Sequence, residues 1–304
     1  MDMKSISEIC SQVVAAEPKI VAIAGISEEE ISLVKDALKE GLARFVLVDN
    51  KTLIEGLMKA QGLPLDAVEI VHVENAQEAP KKAVELVNKN KADIPMKGQV
   101  HTSTFLKAIL NRENGLSSGK RLSQITMFDG YNGELQMLTD CAINISPSLD
   151  EKVDIINNSV RVFAAFSKEE PLVALLGAVE TVAEKMPDTM DSAVLTQMNR
   201  RGQISGCVVD GPLSLDNAIS LEFAQIKGIN SPVAGKAQIL VSSDLREANS
   251  LSKGIIHYAK RDACSIIAGT TIPIVMTSRT DLQKNKLNTI AVACFMFQKQ
   301  EERR

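Results

Sequence analysis

Apolar residues recur in two forms along the chain, and the forms alternate. Short continuous runs at 19–24, 45–48, 68–73 and 93–96 read as buried strands. The segments between them read as helices at 27–40, 51–62 and 78–90, after a shorter amphipathic helix at 3–15. The first of the three opens on Ser27 followed by three glutamates, acids suited to the positive end of a helix, and Gly41 ends it. This alternation predicts an α/β class: a mostly parallel sheet with helices on both faces.

Beyond Lys97-Gly98 a further helix carries Phe105, Leu106, Ile109 and Leu110 as its apolar stripe. The rhythm then breaks. Runs at 123–128 and 134–139 flank Asp129-Gly130-Tyr131-Asn132-Gly133, which reads as a β-hairpin and makes the expected sheet mixed. Leu149, Val153, Ile156, Val160 and Phe163 follow at helical spacing. The second half resumes the alternation, with strands at 172–176, 207–209, 238–241 and 265–268 and helices at 190–200 and 251–260. The last pair is a buried strand at 272–277 and a helix bearing Leu287, Ile290, Ala291, Cys294 and Phe297 on one face. Thr280 with Gln283 fits a capping box and starts that helix. Two domains are predicted, 1–136 with 275–304, and 137–274, with the crossing near the hairpin.

Composition narrows the function classes. The chain has 304 residues, enough for one large or two ordinary domains. A net charge of −4 without a long run of one sign offers no basic face for nucleic acid, and 3 % aromatics offer no base-stacking surface. No segment approaches the unbroken apolar length of a membrane span, and the N-terminus does not read as a signal peptide. Cys10, Cys141, Cys207, Cys264 and Cys294 are scattered and read as reduced thiols of a cytoplasmic protein. His72, His101 and His257 are too dispersed for a metal site.

Candidate chemistry concentrates where strands hand over to helices, the end of an open α/β sheet at which ligands bind. Ser278 and Arg279 occupy such a turn. Arg279 offers a planar fork for phosphate or carboxylate, with the Ser278 hydroxyl beside it; the plain alternative is a turn serine and a solvated charge. Thr102, Ser103 and Thr104 open a helix that brings Lys107 one turn later. They read either as an anion site or as simple capping beside a surface lysine. Asp210 and Asp244 follow apolar strands, as site carboxylates or as turn and cap residues. A dinucleotide Gly-x-Gly-x-x-Gly fingerprint, a P-loop and a Gly-x-Ser-x-Gly elbow are all absent.

Several segments taken together resemble the phosphate acetyl/butyryl transferase family. They are Met96-Lys97-Gly98 through Thr102 to Leu110, Asp140 to Asn144, and Asp210-Gly211-Pro212-Leu213 with Asp216-Asn217-Ala218. Ser231 to Ala237, Asp244-Leu245, and Thr277-Ser278-Arg279 with Lys286-Leu287 complete the set. The resemblance implies a fold like isocitrate and isopropylmalate dehydrogenases, two α/β domains flanking a cleft. It implies reversible transfer of a short acyl group, butyryl or branched, between coenzyme A and inorganic phosphate. An acetyl preference, or a phosphate-compound sensor without catalysis, are the alternatives.

On this resemblance Arg279 grips the phosphoryl group and Ser278 hydrogen-bonds the reacting centre. Lys97, Thr102, Ser103, Thr104, Lys107, Asp210, Lys236, Asp244 and Lys286 fall among the substrate contacts. The family's acetyl branch has an arginine at the position of Lys107 and a catalytic aspartate at the position of Asn285. Asn285 cannot be a base; Asp281, on the same turn as Ser278, takes that role or caps the helix. Neither metal nor redox cofactor is expected, coenzyme A being a substrate, and direct thiol attack in a ternary complex is favoured. The implied partners are acyl-CoA, phosphate and a second copy of the chain, as a homodimer or an assembly of dimers, with no nucleic acid and no membrane.

Overall fold

The computed structural model describes residues 3–303. In chain order the first elements are α1 (Ile6–Val14), β1 (Ile20–Ala24), α2 (Glu28–Lys39), β2 (Arg44–Asp49) and α3 (Lys51–Gln61). Next come β3 (Glu69–His72), α4 (Ala79–Asn88), β4 (Ile94–Lys97), α5 (Thr102–Ile109), β5 (Ser123–Asp129) and β6 (Leu135–Thr139). Then follow α6 (Leu149–Phe163), β7 (Leu172–Leu176), α7 (Pro187–Arg200), β8 (Val208–Leu213), α8 (Leu215–Ile219) and α9 (Leu221–Ile226). The chain finishes with β9 (Ile239–Val241), α10 (Leu245–Lys253), β10 (Ala263–Ala268), β11 (Ile274–Met276) and α11 (Gln283–Glu301).

These elements form two compact units. One combines Ser7–Lys120 with the chain from Cys264 onward; the other is built on Arg121–Ala263 and takes in the described residues up to Ile6. The predicted crossing between 136 and 137 would cut the β5–β6 hairpin, whose antiparallel register runs from Ile125↔Thr139 to Asp129↔Leu135. The division falls before it, at Lys120, and the return falls at Ala263.

In the discontinuous unit the strand order is β3-β2-β1-β4-β11-β10. All neighbours are parallel except β10 and β11. Strands covered on both faces read as unbroken apolar runs, and Val21 to Ala24 and Phe45 to Val48 are accordingly all buried. The predicted capping box on Ser27 is present in full: its side chain accepts from Glu29 N–H, and Glu30 answers to the Ser27 backbone. Helix α11 is buried all round, from Asn285 through Met296. A helix with no polar face belongs inside a core, and side chains such as Ile290 and Phe295 each contribute roughly 1.5–3 kcal/mol by leaving water.

In the other unit the order is β5-β6-β9-β7-β8, with β6, β9, β7 and β8 mutually parallel. Its core packs Phe128, Leu138, Leu176, Leu213, Val233 and Leu240 together.

Several boundaries differ from the sequence reading. The last helix begins at Gln283, after an extended Leu282, and Thr280 is not its cap. Thr280 instead donates its N–H to Ser278 Oγ within a turn that precedes the helix. Strand β8 runs on through Asp210 to Leu213, because Asp210 pairs with Ala174 of β7. Helix α7 starts earlier than 190, with Pro187 in its first turn, where a missing N–H costs nothing. The helix expected at 251–260 is α10, capped by Asp244, and it runs on into a π-helical segment at Gly254–Tyr258. Helices α8 and α9 were not anticipated.

Candidate active site

Three parallel strands of the discontinuous unit end side by side. In the register Lys97 lies beside Ala24 of β1 and beside Met276 of β11. Lys97, the turn after Ala24 and the turn after Met276 therefore share one edge, the carboxyl edge at which open α/β sheets take ligands. The backbone is tightly folded there. Gly98 N–H donates to Ala24 O at 3.0 Å and Gln99 N–H to Gly25 O at 2.9 Å. A Cβ on Gly98 would lie 2.0 Å from Gly25 O, so only glycine fits between these two exits.

Charge converges on the same edge. Lys97 is half-buried, and its Nζ donates to Gly98 O at 3.1 Å and to Val100 O at 3.5 Å. Burial depresses the pKa of this ammonium; Arg279 and Lys286 act in the same direction, against Glu30 and Glu29. Lys286 is buried and ion-paired to Glu29 of α2. Glu30 is engaged by Ser27, whose hydroxyl lies 2.5 Å from its Oε2.

The turn after β11 holds itself. Ser278 N–H donates to Asp281 Oδ2 at 2.8 Å, Asp281 N–H donates to Ser278 O at 3.2 Å, and the Ser278 and Thr280 hydroxyls lie 3.1 Å apart. Asp281 thus serves the turn, although it does not cap α11. Arg279 is exposed and makes no hydrogen bond or ion pair with another described residue, while its field reaches Lys97. A guanidinium so placed keeps its fork available for an anion. Asn285, two residues into α11, is buried.

The remaining candidates sit elsewhere. Helix α5 begins after His101, which makes no side-chain cap; Thr102 and Ser103 are exposed in its first turn. Thr104 and Lys107 face α4 across a cavity of about 630 Å³ that Lys81, Glu85 and Asn111 also line. In the other unit Lys236 is exposed and lines a cavity of about 280 Å³ with Tyr131 and Glu134. Gly235 before it holds a left-handed φ of 76°, and a Cβ there would lie 2.4 Å from Leu221 Cα, so only glycine fits. Asp210 is a half-buried strand residue. Asp244 caps α10, its carboxylate accepting from Arg246 and Glu247 N–H, and the hydrogen bond from the Arg246 guanidinium holds it below the usual carboxylate range. This is the plain helix-cap reading of Asp244.

One cluster went unread in the sequence. Glu180 Oε1 accepts from Ser214 Oγ at 2.5 Å and from Lys227 Nζ at 3.0 Å, and Asp216 also pairs with Lys227. The Ser214 hydroxyl is the main reason that both carboxyls stay below their ordinary range. Asp216 was visible within a motif, but nothing local signals its partners Glu180 and Lys227. The Glu29–Lys286 pair was hidden for the same reason: 257 positions separate the two. Among the described residues no three His, Cys, Asp or Glu side chains group to hold a metal ion. Nor is any helix of the described residues long and apolar enough to cross a membrane.

Comparison with known proteins gives this geometry its family. The family model described as "Phosphate acetyl/butaryl transferase" matches residues 75–294. The phosphate butyryltransferase of Clostridium acetobutylicum is 43 % identical over 296 residues, covering 97 % of this chain and 98 % of that protein. The crystal structure of a branched-chain phosphotransacylase from Enterococcus faecalis V583 superposes with a TM-score of 0.83 at 32 % identity, covering 92 % of this chain and 99 % of that one. For the fold alone, a 4-hydroxythreonine-4-phosphate dehydrogenase from Klebsiella pneumoniae superposes with a TM-score of 0.56 at 11 % identity, covering 92 % and 100 %. The dehydrogenase-like α/β architecture expected from the sequence is present. The chain belongs to the phosphate acetyl/butyryl transferase family, and it is an acyl-transferring enzyme.

Proposed function

We propose that the enzyme moves a butyryl or branched short-chain acyl group reversibly between coenzyme A and inorganic phosphate. The observation that carries this reading is Arg279, which pairs with no described residue, beside Ser278, two to three residues beyond β11, on the sheet edge that Lys97 terminates. An acyl phosphate brings its negative charge to such an edge, and the guanidinium fork matches two phosphoryl oxygens. Ser278 supplies a hydroxyl to the reacting carbonyl.

The chemistry needs no change of oxidation state, so the reading calls for no redox cofactor. Coenzyme A and acyl phosphate are held together, and the sulfur attacks the acyl carbon directly. Holding two reactants in line contributes up to roughly 7–11 kcal/mol of barrier lowering. Three of the five cysteines favour direct transfer over an acyl-enzyme on sulfur. Burial pushes the Cys141 and Cys294 thiols up to about 12 and Cys207 up to about 11, values at which a thiol is a poor nucleophile near neutral pH.

The experiment is an assay of purified protein with butyryl-CoA, with and without phosphate. Phosphate-dependent release of free thiol is expected, with intersecting initial-velocity lines. The same assay with acetyl-CoA ranks chain length. Silence with acetyl, propionyl, butyryl and branched acyl-CoA alike ends the proposal.

A further inference from the structure

We propose that Lys97 is the base that takes the thiol proton of coenzyme A, a role that rests on the acyl-transfer reading above. Placement is the first support. Lys97 is the last residue of the strand between β1 and β11, next to Met276 in the register, and the chain leaving Met276 reaches Ser278 two residues on. Any substrate held by Ser278 and Arg279 is thus held over the sheet edge that Lys97 terminates.

Bonding is the second. A neutral amine has two N–H donors and one lone pair. Gly98 O takes one donor at 3.1 Å and Val100 O the other at 3.5 Å, which leaves the lone pair unengaged. Among the described residues no carboxylate pairs with Nζ to lock it as an ammonium. The carboxylates that face it are already taken, Glu29 by Lys286 and Glu30 by Ser27.

Surroundings are the third. The charged groups acting on Lys97 come from α2 (Glu29, Glu30), from the turn after β11 (Arg279) and from α11 (Lys286). Burial is the largest influence and lowers the pKa, which favours the uncharged amine that a base must be. The other candidates are weaker: Asn285 has an amide, and the Asp281 carboxylate is turned back to Ser278 N–H.

The step balances as follows. The S–H proton moves to Lys97 Nζ as the sulfur electron pair forms the bond to the acyl carbon. The bond from that carbon to the phosphate oxygen breaks, and its electron pair leaves on phosphate. The new ammonium returns the proton to the departing phosphate. In the reverse direction the ammonium protonates the leaving thiolate.

The test pairs K97R with K97A. Arginine keeps the charge and cannot give up a proton, so a base role predicts that both variants lose about 10²–10⁴-fold in kcat. Methylamine or ethylamine is expected to restore part of the K97A rate, increasingly with amine basicity. A K97R enzyme with near-parental kcat overturns the proposal, as does K97A without amine rescue. Absence of turnover by the parent protein removes the acyl-transfer reading itself, and this proposal with it. Should neither variant keep the parental circular dichroism, the ¹⁵N shift of Lys97 Nζ is titrated in the parent. A nitrogen still charged throughout the pH range in which the rate rises overturns the assignment.

Discussion

Ser278 donates its backbone N–H to the Asp281 carboxylate at 2.8 Å. The carboxylate is thereby committed to shaping the turn that presents Ser278 and Arg279. Replacing it by asparagine retains an oxygen that can accept this bond. D281N is therefore expected to keep kcat/KM within about tenfold of the parent, far from the loss of about 10²–10⁴-fold that follows removal of a general base. D281A lacks the acceptor and is expected to lose about 1 kcal/mol of stability, the scale of a lost capping bond. Activity assays and urea unfolding of the two variants check this.

Arg279 is exposed and pairs with no other described residue, so its substitution is expected to cost binding and to spare the fold. A hydrogen bond to a charged group contributes about 1.5–3 kcal/mol. R279A is expected to raise the KM for phosphate by about 10–150-fold at an unchanged thermal midpoint. R279K retains a point charge without the fork and should fall between. Equal phosphate KM values for R279A and the parent would remove Arg279 from the site.

The Glu29–Lys286 pair is asymmetric: Lys286 has only 5 % of its side chain exposed, while Glu29 has 42 %. Removing the acid strands a buried ammonium; removing the base leaves a carboxylate that water can reach. E29A is expected to destabilise more than K286M, by on the order of 2 kcal/mol, below the penalty for breaking a fully buried pair because Glu29 is partly solvated. Urea midpoints of the two variants give the order directly.

The buried thiols give the protein an alkaline limit. Burial raises Cys141 and Cys294 from an ordinary 9.0 to about 12. Below pH 9 both the folded and unfolded chains hold these protons, and the contribution is fully present. Between 9 and 12 the unfolded chain ionises first, so stability falls as pH rises through that window. A C141A/C294A double variant is expected to show a shallower decline, read from unfolding midpoints across the alkaline range. Parallel slopes for parent and variant would contradict the assignment.

What the sequence disclosed follows the range of the forces involved. The βα rhythm was legible because parallel strands covered on both faces must be continuous apolar runs, as 21–24 and 45–48 are. The Ser27 capping box was legible because all its partners lie within three residues. Ser278 and Arg279 were rightly placed on a strand-to-helix turn, since the apolar run stops abruptly before them. The false capping box on Thr280 shows the limit. Ser278 is an equally local hydroxyl, and it takes the Thr280 N–H first. Asp210 misled for a different reason: pairing with Ala174 carries β8 past a residue that reads as a turn former. The pairs Glu29–Lys286 and Glu180–Lys227 arise from tertiary packing alone, and charge patterns along the chain carry no trace of them.

The discontinuous unit sets the timetable of synthesis. Its β11 lies between β4 and β10, and both β11 and α11 are encoded after Cys264, whereas β1 to β4 are complete by Lys97. As the chain emerges from the ribosome, four strands must therefore wait with an open edge on β4 while the entire middle segment is made. That segment carries all five of its own strands and is free to collapse at once. The unit whose strands are made first is the unit finished last, and the lysine at its waiting edge gains Arg279 and Lys286 as neighbours only when the final helix arrives.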